Sequence, residues 1–192
     1  MEPPPTYTFR AASSDHDLRG ILALQSVNLP ETLSAAEFAS QGFVTLRHDL
    51  ALLREMNSPW PHIIATPSES DEVVAYALVM QEKFRERLPL LEPMFQRLNA
   101  LSHRGRPIDA LRWYVMGQIC VAKAHRGRNL VEGLYAQHRE QMARDFDLSI
   151  TEISHANPRS LRAHVRAGWD IIHEFTADDG GEWAIVALDL RG

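Results

Sequence analysis

The sequence lacks the features of several protein classes. Of its 192 residues only one, Cys120, is a cysteine, so no internal disulfide can form and a reducing compartment is expected. Its apolar neighbours Ile119 and Val121 predict a small buried thiol and not a nucleophile. No apolar run approaches membrane-spanning length, and residues 1–10 show no signal-peptide pattern. We therefore expect a cytoplasmic protein with no membrane partner.

An excess of basic charge is also absent. The formal net charge is −5, which gives no reason to expect a nucleic-acid partner, so any basic function must be local. The nine histidines show no ligand spacing such as His-x-x-x-His, and we expect no metal site. With 45% hydrophobic and 23% charged residues, the composition is that of a globular protein. The length fits one domain over 6–192, preceded by a disordered Pro-rich tail, 1–5.

Periodicity and capping signals predict a mixed α/β (α+β) architecture. Strands are expected at 7–10, 62–66, 72–80, 112–121, 149–154, 169–175 and 182–190. Two helices are expected to begin at the capping boxes of Ser14 and Ser34, and the second should end at Gly42. Further helices are expected over 49–56, 84–101 and 129–143, and from Asn157-Pro158 to Gly168. Pro89 and Pro93 should break the helix at 84–101. The segment 112–154 has the length of a parallel strand–helix–strand crossover.

The turn between the strand at 112–121 and the following helix has features of an anion site. The first N–H groups of a helix lack partners within the helix, and the helix dipole adds positive potential there. Gly127 permits close backbone approach, and Arg126 and Arg128 add charge. Lys-Ser or Lys-Thr does not follow, and the further glycines of a dinucleotide fingerprint are missing. Taken alone, the motif also fits a solvated basic turn.

Two motifs in order resemble the GNAT superfamily of N-acetyltransferases. The first runs from Gln118-Ile119-Cys120-Val121 through residues 125–131; the second comprises 150–154, Asn157, a helix and Gly168-Trp169. In that family an Arg/Gln-x-x-Gly-x-Gly/Ala loop after the fourth strand binds the pyrophosphate of acetyl-CoA. Here Arg126 opens the loop, and Asn129 and Val131 stand where the family has Gly and Gly or Ala. The resemblance covers about a third of the chain, from about 115 to 175.

The resemblance implies a GNAT-like acyl-CoA N-acyltransferase fold, with a central mixed sheet of about seven strands flanked by helices. It implies acetyl-CoA as co-substrate and direct attack of a primary amine on the thioester, whose carbonyl a main-chain N–H around 120–122 would polarise. The amine would belong to a small molecule or a peptide. The implied cofactor-binding residues are Cys120, Val121, Ala122, Arg126, Gly127, Arg128, Asn129, Leu130, Val131, Asn157 and Ser160.

Candidates for proton transfer are less clear. Asn157, Ser160 and His164 share one helix face, and His164 stands where the family often has a Tyr. His164 is therefore the expected leaving-group acid, and Asn157 is expected beside it at the catalytic centre. The competing interpretation is that His164 is a packed, hydrogen-bonded helix residue without a role in proton transfer. No general base stands out: the candidates are His125, Glu152, His155 and water.

The same helix carries Arg159, Arg162 and Arg166 on another face. These arginines fit the 3′-phosphate of the cofactor, an acidic partner or a solvated basic surface. In the family, the segment corresponding to 28–45 and the loop with Asp178 and Asp179 select the acceptor, and acidic residues there suit a cationic amine.

Two further functions stay open at the level of sequence. One is a non-catalytic acyl-CoA-binding or regulatory domain, motivated by Asn129, Val131 and the missing base. The other is an acyltransferase that uses a longer acyl chain or a hydroxyl acceptor. A homodimer is compatible with the sequence, which identifies neither the acceptor nor the oligomeric state.

Overall fold

The structure is a computed structural model that describes residues 5–34 and 43–191. The strands are β1 (Tyr7–Ala11), β2 (Ile63–Pro67), β3 (Ala75–Met80), β4 (Ser102–His103), β5 (Arg106–Pro107), β6 (Trp113–Val121), β7 (Leu148–Ser154), β8 (Asp170–Thr176) and β9 (Glu182–Asp189). The α-helices are α1 (Asp15–Ser26), α2 (Leu50–Met56), α3 (Glu92–Leu98), α4 (Leu130–Met142) and α5 (Pro158–Arg166). Short 3-10 turns lie at Pro30–Thr32, Glu82–Arg87, Pro89–Leu91, Ile108–Ala110 and Lys123–His125.

Seven strands form one mixed sheet in the order β1-β2-β3-β6-β7-β9-β8. The pair β6–β7 is parallel and is connected through α4, as expected for a crossover unit, while the other neighbours pair antiparallel. The predicted α/β class and the seven-stranded mixed sheet are therefore confirmed. Strands β4 and β5 form a separate hairpin.

The sheet opens at its centre, between β6 and β7. Their pairing ends at Val115 and Ile150, although β6 continues to Val121 and β7 to Ser154. Opposite residues 77–79 of β3, strand β6 carries one extra residue, and such a bulge bends its strand. The two parallel neighbours therefore diverge and leave a gap in the sheet toward their C-terminal ends.

Helices cover both faces of the sheet and fix the position of this gap. On one face α4 buries Leu134 fully; on the other, α1 and α2 bury Ile21 and Leu53. Gly133 lets α4 approach β1 closely, because a Cβ at this position would overlap the Phe9 ring. The start of α4 thus packs close to the sheet and lies beside the C-terminal end of β6.

The structure corrects several predicted boundaries. The helix expected over 84–101 is divided into two 3-10 turns and α3, because Pro89 and Pro93 supply no N–H for a continuous helix. Strand β3 begins at Ala75 and not at 72, and the β4–β5 hairpin, turning at Arg104 and Gly105 with positive φ, was not predicted. The expected helix after Ser34 and the N-terminal tail, up to residue 4, lie outside the described residues.

Within the described ranges, none of the helices combines the length and the apolar composition that a membrane crossing requires.

Candidate functional site

The N-terminus of α4 is open toward the end of β6. Its first flanking residue, Asn129, has a left-handed backbone with φ 58°, and the Asn129 side chain makes no capping hydrogen bond. Gly127 also has positive φ, 77°, and a Cβ there would meet nothing within 4 Å. The first N–H groups of this 13-residue helix therefore keep their capacity to bind an anion.

A cleft of about 400 Å³ lies at this helix start. It collects most of the residues singled out by sequence: Cys120, Val121, Arg126, Gly127, Asn129, Leu130, Val131, Asn157, Ser160 and His164. The other two expected cofactor-binding residues, Ala122 and Arg128, do not line it. The N–H of Ala122 donates to the Val74 carbonyl at 2.8 Å, so it pairs with the residue that precedes β3.

The main chain of Val121 faces this cleft. Its carbonyl accepts a hydrogen bond from the Nε of Arg126 at 3.1 Å. The next N–H along the chain, that of Ala122, points to the other side, toward Val74 and β3. Because the N–H groups of a strand alternate between its two edges, the Val121 N–H points away from β3, toward the gap. Among residues 120–122, Val121 is therefore the one whose N–H can reach a carbonyl group bound in the gap.

A second, smaller cavity of about 70 Å³ occupies the gap itself. Residues 116–119 of β6 and 151–154 of β7 form its walls, and Trp183 closes one side. It shares six lining residues with the cleft: Phe43, Val44, Ile119, Asn157, Ser160 and His164. The two cavities thus meet through the sheet, at the place where β6 and β7 separate.

Glu152 lines the smaller cavity. Side chains alternate along a strand, so Glu152 lies on the same face of β7 as the buried Leu148 and Ile150. Burial raises the pKa of Glu152 to about 8, and the positive charge of Arg97 opposes that rise. Its buried Oε2 has no hydrogen-bond partner within the described part of the chain. The cavity therefore contains a carboxyl group whose pKa lies near 8 and which is mostly protonated at pH 7.

His164 touches both cavities but is tightly packed. Its Nδ1 lies 2.8 Å from the Ser160 carbonyl and its Nε2 2.7 Å from the Tyr135 hydroxyl. A carbonyl only accepts, so Nδ1 carries the proton, and in the neutral ring Nε2 accepts from Tyr135. Burial lowers the pKa of His164 to about 4, which keeps the ring neutral at pH 7. Its single N–H proton is therefore already committed to Ser160.

The segment after residue 42 is tied to the start of α5. Asn157 caps this helix by accepting from the Ser160 N–H, and its Nδ2 donates to the Phe43 carbonyl at 3.0 Å. Nearby, Arg126 donates to the Asn28 side chain at 2.9 Å. Two residues expected at the cofactor therefore also position the segments that border the gap.

The other proton-transfer candidates lie outside the smaller cavity. His125 bonds to the Tyr7 hydroxyl at 2.9 Å and borders only the larger cleft, and the exposed His155 pairs with Glu174 at 3.1 Å. Cys120 is buried as predicted, and burial raises the pKa of its thiol to about 12, so it is inert. Among residues 5–34 and 43–191 no group of three metal-binding side chains occurs.

The three arginines of α5 all line the larger cleft: Arg159, Arg162 and Arg166. Gly127 lines the same cleft. Asp178 and Asp179, in contrast, lie in the β8–β9 turn, away from both cavities.

Solved structures share this architecture over nearly the whole chain. The NatC complex bound to Gag peptide and CoA contains a chain with 13% identity and TM-score 0.63, covering 95% of this chain and 98% of that one. A putative acetyltransferase from Salmonella typhimurium with acetyl-CoA is 15% identical and has a TM-score of 0.61; the match covers 96% of this chain and 94% of that one. The chain has the fold of the GNAT N-acetyltransferases.

A third GNAT structure, a spermidine N-acetyltransferase chimera from Vibrio cholerae, has 11% identity, covers 96% of each chain and has TM-score 0.60. No protein-family model matches the chain, and no curated protein matches its sequence. The family resemblance drawn from two short motifs is therefore supported by the three-dimensional architecture.

Phe43 and Val44, which belong to the segment 28–45 expected to select the acceptor, line both cavities. Sequence reasoning missed the roles of two other residues: Trp183 lines the smaller cavity, and the Tyr135 hydroxyl bonds to His164. These residues come from distant parts of the chain, and no local pattern marks them. Only the fold brings them together.

Proposed function

We propose that this protein transfers the acetyl group of acetyl-CoA to a primary amine by direct attack on the thioester. The observation that carries the proposal is the gap between β6 and β7, which joins an open helix N-terminus on one side to the carboxyl group of Glu152 on the other. The GNAT fold supports it. A cytoplasmic location belongs to the same proposal.

The larger cleft would hold the cofactor. The diphosphate would bind the first N–H groups of α4, next to Gly127 and the guanidinium of Arg126. The pantetheine arm would then run along the free edge of β6. In this position the N–H of Val121 would polarise the thioester carbonyl and stabilise the developing oxyanion.

Glu152 would act as the general base. A free alkylamine has a pKa of about 10.4 and must lose a proton before it attacks. A carboxylate with a pKa of about 8 accepts that proton more readily than an ordinary carboxylate, since its basicity lies closer to that of the amine. The amine nitrogen then bonds to the carbonyl carbon, the carbon–sulfur bond breaks, and the thiolate leaves. The second proton of the nitrogen passes through water to this thiolate, which gives the amide and the free thiol.

The geometry argues against His164 as the leaving-group acid. Its ring is neutral, and donating the Nδ1 proton would break the bond to Ser160. We infer that His164, through Tyr135, holds α5 against α4 as a positioning residue. A thiol has a pKa of about 8.5, so water entering the cleft suffices to protonate the departing thiolate.

The acceptor would be a small-molecule or peptide amine. Among the similar structures, one complex contains a peptide and another enzyme is named for spermidine, so both kinds of acceptor belong in the first assays. Glu152 is the one carboxylate among the described residues that line the smaller cavity, and in its ionised form it would attract a cationic substrate.

Two measurements test the proposal. Acetyl-CoA at a hundredfold its Kd should stabilise the protein by about 2.7 kcal/mol, which thermal unfolding detects. Thiol release should then follow addition of an acceptor from a panel of polyamines, aminoglycosides, amino acids and peptides. Stabilisation without thiol release across the panel would favour a non-catalytic acyl-CoA-binding domain. Absence of stabilisation at millimolar acetyl-CoA would refute both functions.

A further inference from the structure

The arginines of α5 form a basic wall that the diphosphate site does not use. Arg159, Arg162 and Arg166 line the larger cleft, as does the Gly127 turn. Arg166 pairs with Glu132 at 3.0 Å, and Glu132 is the one carboxylate among the described lining residues of this cleft. Neither Arg159 nor Arg162 has a carboxylate partner within salt-bridge distance among residues 5–34 and 43–191. Two cationic groups thus face the cleft on a protein whose net charge is −5.

The start of α5 cannot itself serve as a second anion site. Asn157 accepts a hydrogen bond from the Ser160 N–H, so its side chain already caps this helix. The start of α4 differs, since Asn129 makes no capping bond. Any anion held at the α5 wall would therefore be held by the arginine side chains and not by the helix terminus.

We propose that Arg159 and Arg162 bind the 3′-phosphate of CoA and make the cleft selective for CoA over dephospho-CoA. The inference rests on the proposed function, which places CoA in this cleft. CoA carries a diphosphate and a separate phosphate monoester, and the open start of α4 accounts for the first only. A phosphate monoester has a charge of about −1.5 to −2 at pH 7 and accepts paired hydrogen bonds from guanidinium groups. Arg159 and Arg162, which have no carboxylate partner among the described residues, match that second group.

The test compares the affinities of CoA and dephospho-CoA by calorimetry, for the wild-type protein and for the double variant Arg159→Gln/Arg162→Gln. The wild-type protein should bind CoA about tenfold more tightly than dephospho-CoA, a difference of ~1.4 kcal/mol. The double variant should lose this preference, through weaker CoA binding with unchanged dephospho-CoA binding. Raising the salt concentration should reduce the wild-type preference, since the arginines are exposed.

A matched control removes the same charge elsewhere. The double variant Arg19→Gln/Arg144→Gln takes two positive charges from exposed positions that do not line the cleft, and it should keep the preference. Equal affinity of the wild-type protein for both ligands would overturn the inference and leave the proposed function intact. An equal loss for both ligands in the α5 variant would also overturn it, because the arginines would then act as a general field. Failure of the wild-type protein to bind either ligand would instead refute the proposed function.

Discussion

Replacing Glu152 by Gln tests the central carboxyl group of the site. The substitution keeps the shape of the side chain and removes its ionisation. Because Glu152 lies in a cavity wall where burial disfavours its charged form, the variant should be more stable than the wild-type protein at alkaline pH. Because the same group is the proposed base, the variant should also be slower. Stability and turnover are thus expected to change in opposite directions.

The size of the stability change follows from the pKa. Burial raises the pKa of Glu152 from 4.5 to about 8, so the folded state holds the proton more tightly than the unfolded state. The wild-type protein is therefore penalised as the pH rises above 4.5, and the penalty is complete above 8. At ~1.36 kcal/mol per pKa unit, the variant gains about 4 kcal/mol at pH 8 and nothing below pH 4.5. For a chain of this length, that is a rise of roughly 10 °C in Tm.

The effect on catalysis has a different pH dependence. A positioned general base contributes about 10²- to 10⁴-fold to the rate, so kcat/KM of the variant should fall by at least about 100-fold. In the wild-type protein kcat/KM should rise with pH through the pKa of Glu152, about 8, and level off above it, where the carboxylate is fully ionised. The variant has no group to titrate at this position, so that rise should disappear.

The assay is thermal unfolding of both proteins between pH 4.5 and 8.5, together with thiol release over the same range. Glu140→Gln is the control, since this exposed α4 carboxylate lines neither cavity and its replacement should change neither the pH dependence of Tm nor the rate. Equal Tm values for the wild-type protein and Glu152→Gln at pH 8 would refute the burial argument. If kcat/KM of the Glu152→Gln variant depends on pH as it does in the wild-type protein, another group is the base.

Three further substitutions test the loop, the cap and the helix contact. Gly127→Asp should abolish the binding of acetyl-CoA measured by calorimetry, because it places a negative charge at the diphosphate. Gly105→Asp is its control and should leave binding intact. Gly105 has a similar φ of 79° and the same free space, so the substitution imposes the same backbone strain. Asn157→Ala should lower the free energy of unfolding by about 1 kcal/mol in denaturant titration, through loss of the α5 cap. Gly133→Ala should cost about 1–3 kcal/mol, because its Cβ would overlap the Phe9 ring; an unchanged midpoint would refute that contact.

Local chemistry made the helix ends predictable. Ser14 forms the expected capping box, Asn157 and Pro158 begin α5, and Gly168, with φ 93°, follows its last turn. Each of these features depends on a few neighbouring residues, whose side chains and backbone preferences are readable in sequence. The divided helix around Pro89 shows the limit of such reasoning, since the positions of the breaks were visible but the 3-10 geometry was not.

The site depends on contacts that no short segment contains. The bond from Asn157 to the Phe43 carbonyl joins residues 114 positions apart, and that from Arg126 to Asn28 joins residues 98 apart. Glu152 could be placed on a strand by sequence, but its raised pKa follows from burial in the gap between β6 and β7. That gap depends on a bulge and on where pairing ends, which are properties of the assembled sheet.

The missing glycines of the loop illustrate how a sequence departure can preserve a backbone. Asn129 replaces the family's Gly, and its φ of 58° shows that the position requires a left-handed conformation. That conformation costs an ordinary residue about 1–2 kcal/mol, but Asn adopts it more readily than any other type except Gly. Val131 packs partly against the core formed around Leu134, so its bulk is directed in part away from the cleft. The residues differ from the family pattern, while the helix N–H groups on which anion binding depends keep their place.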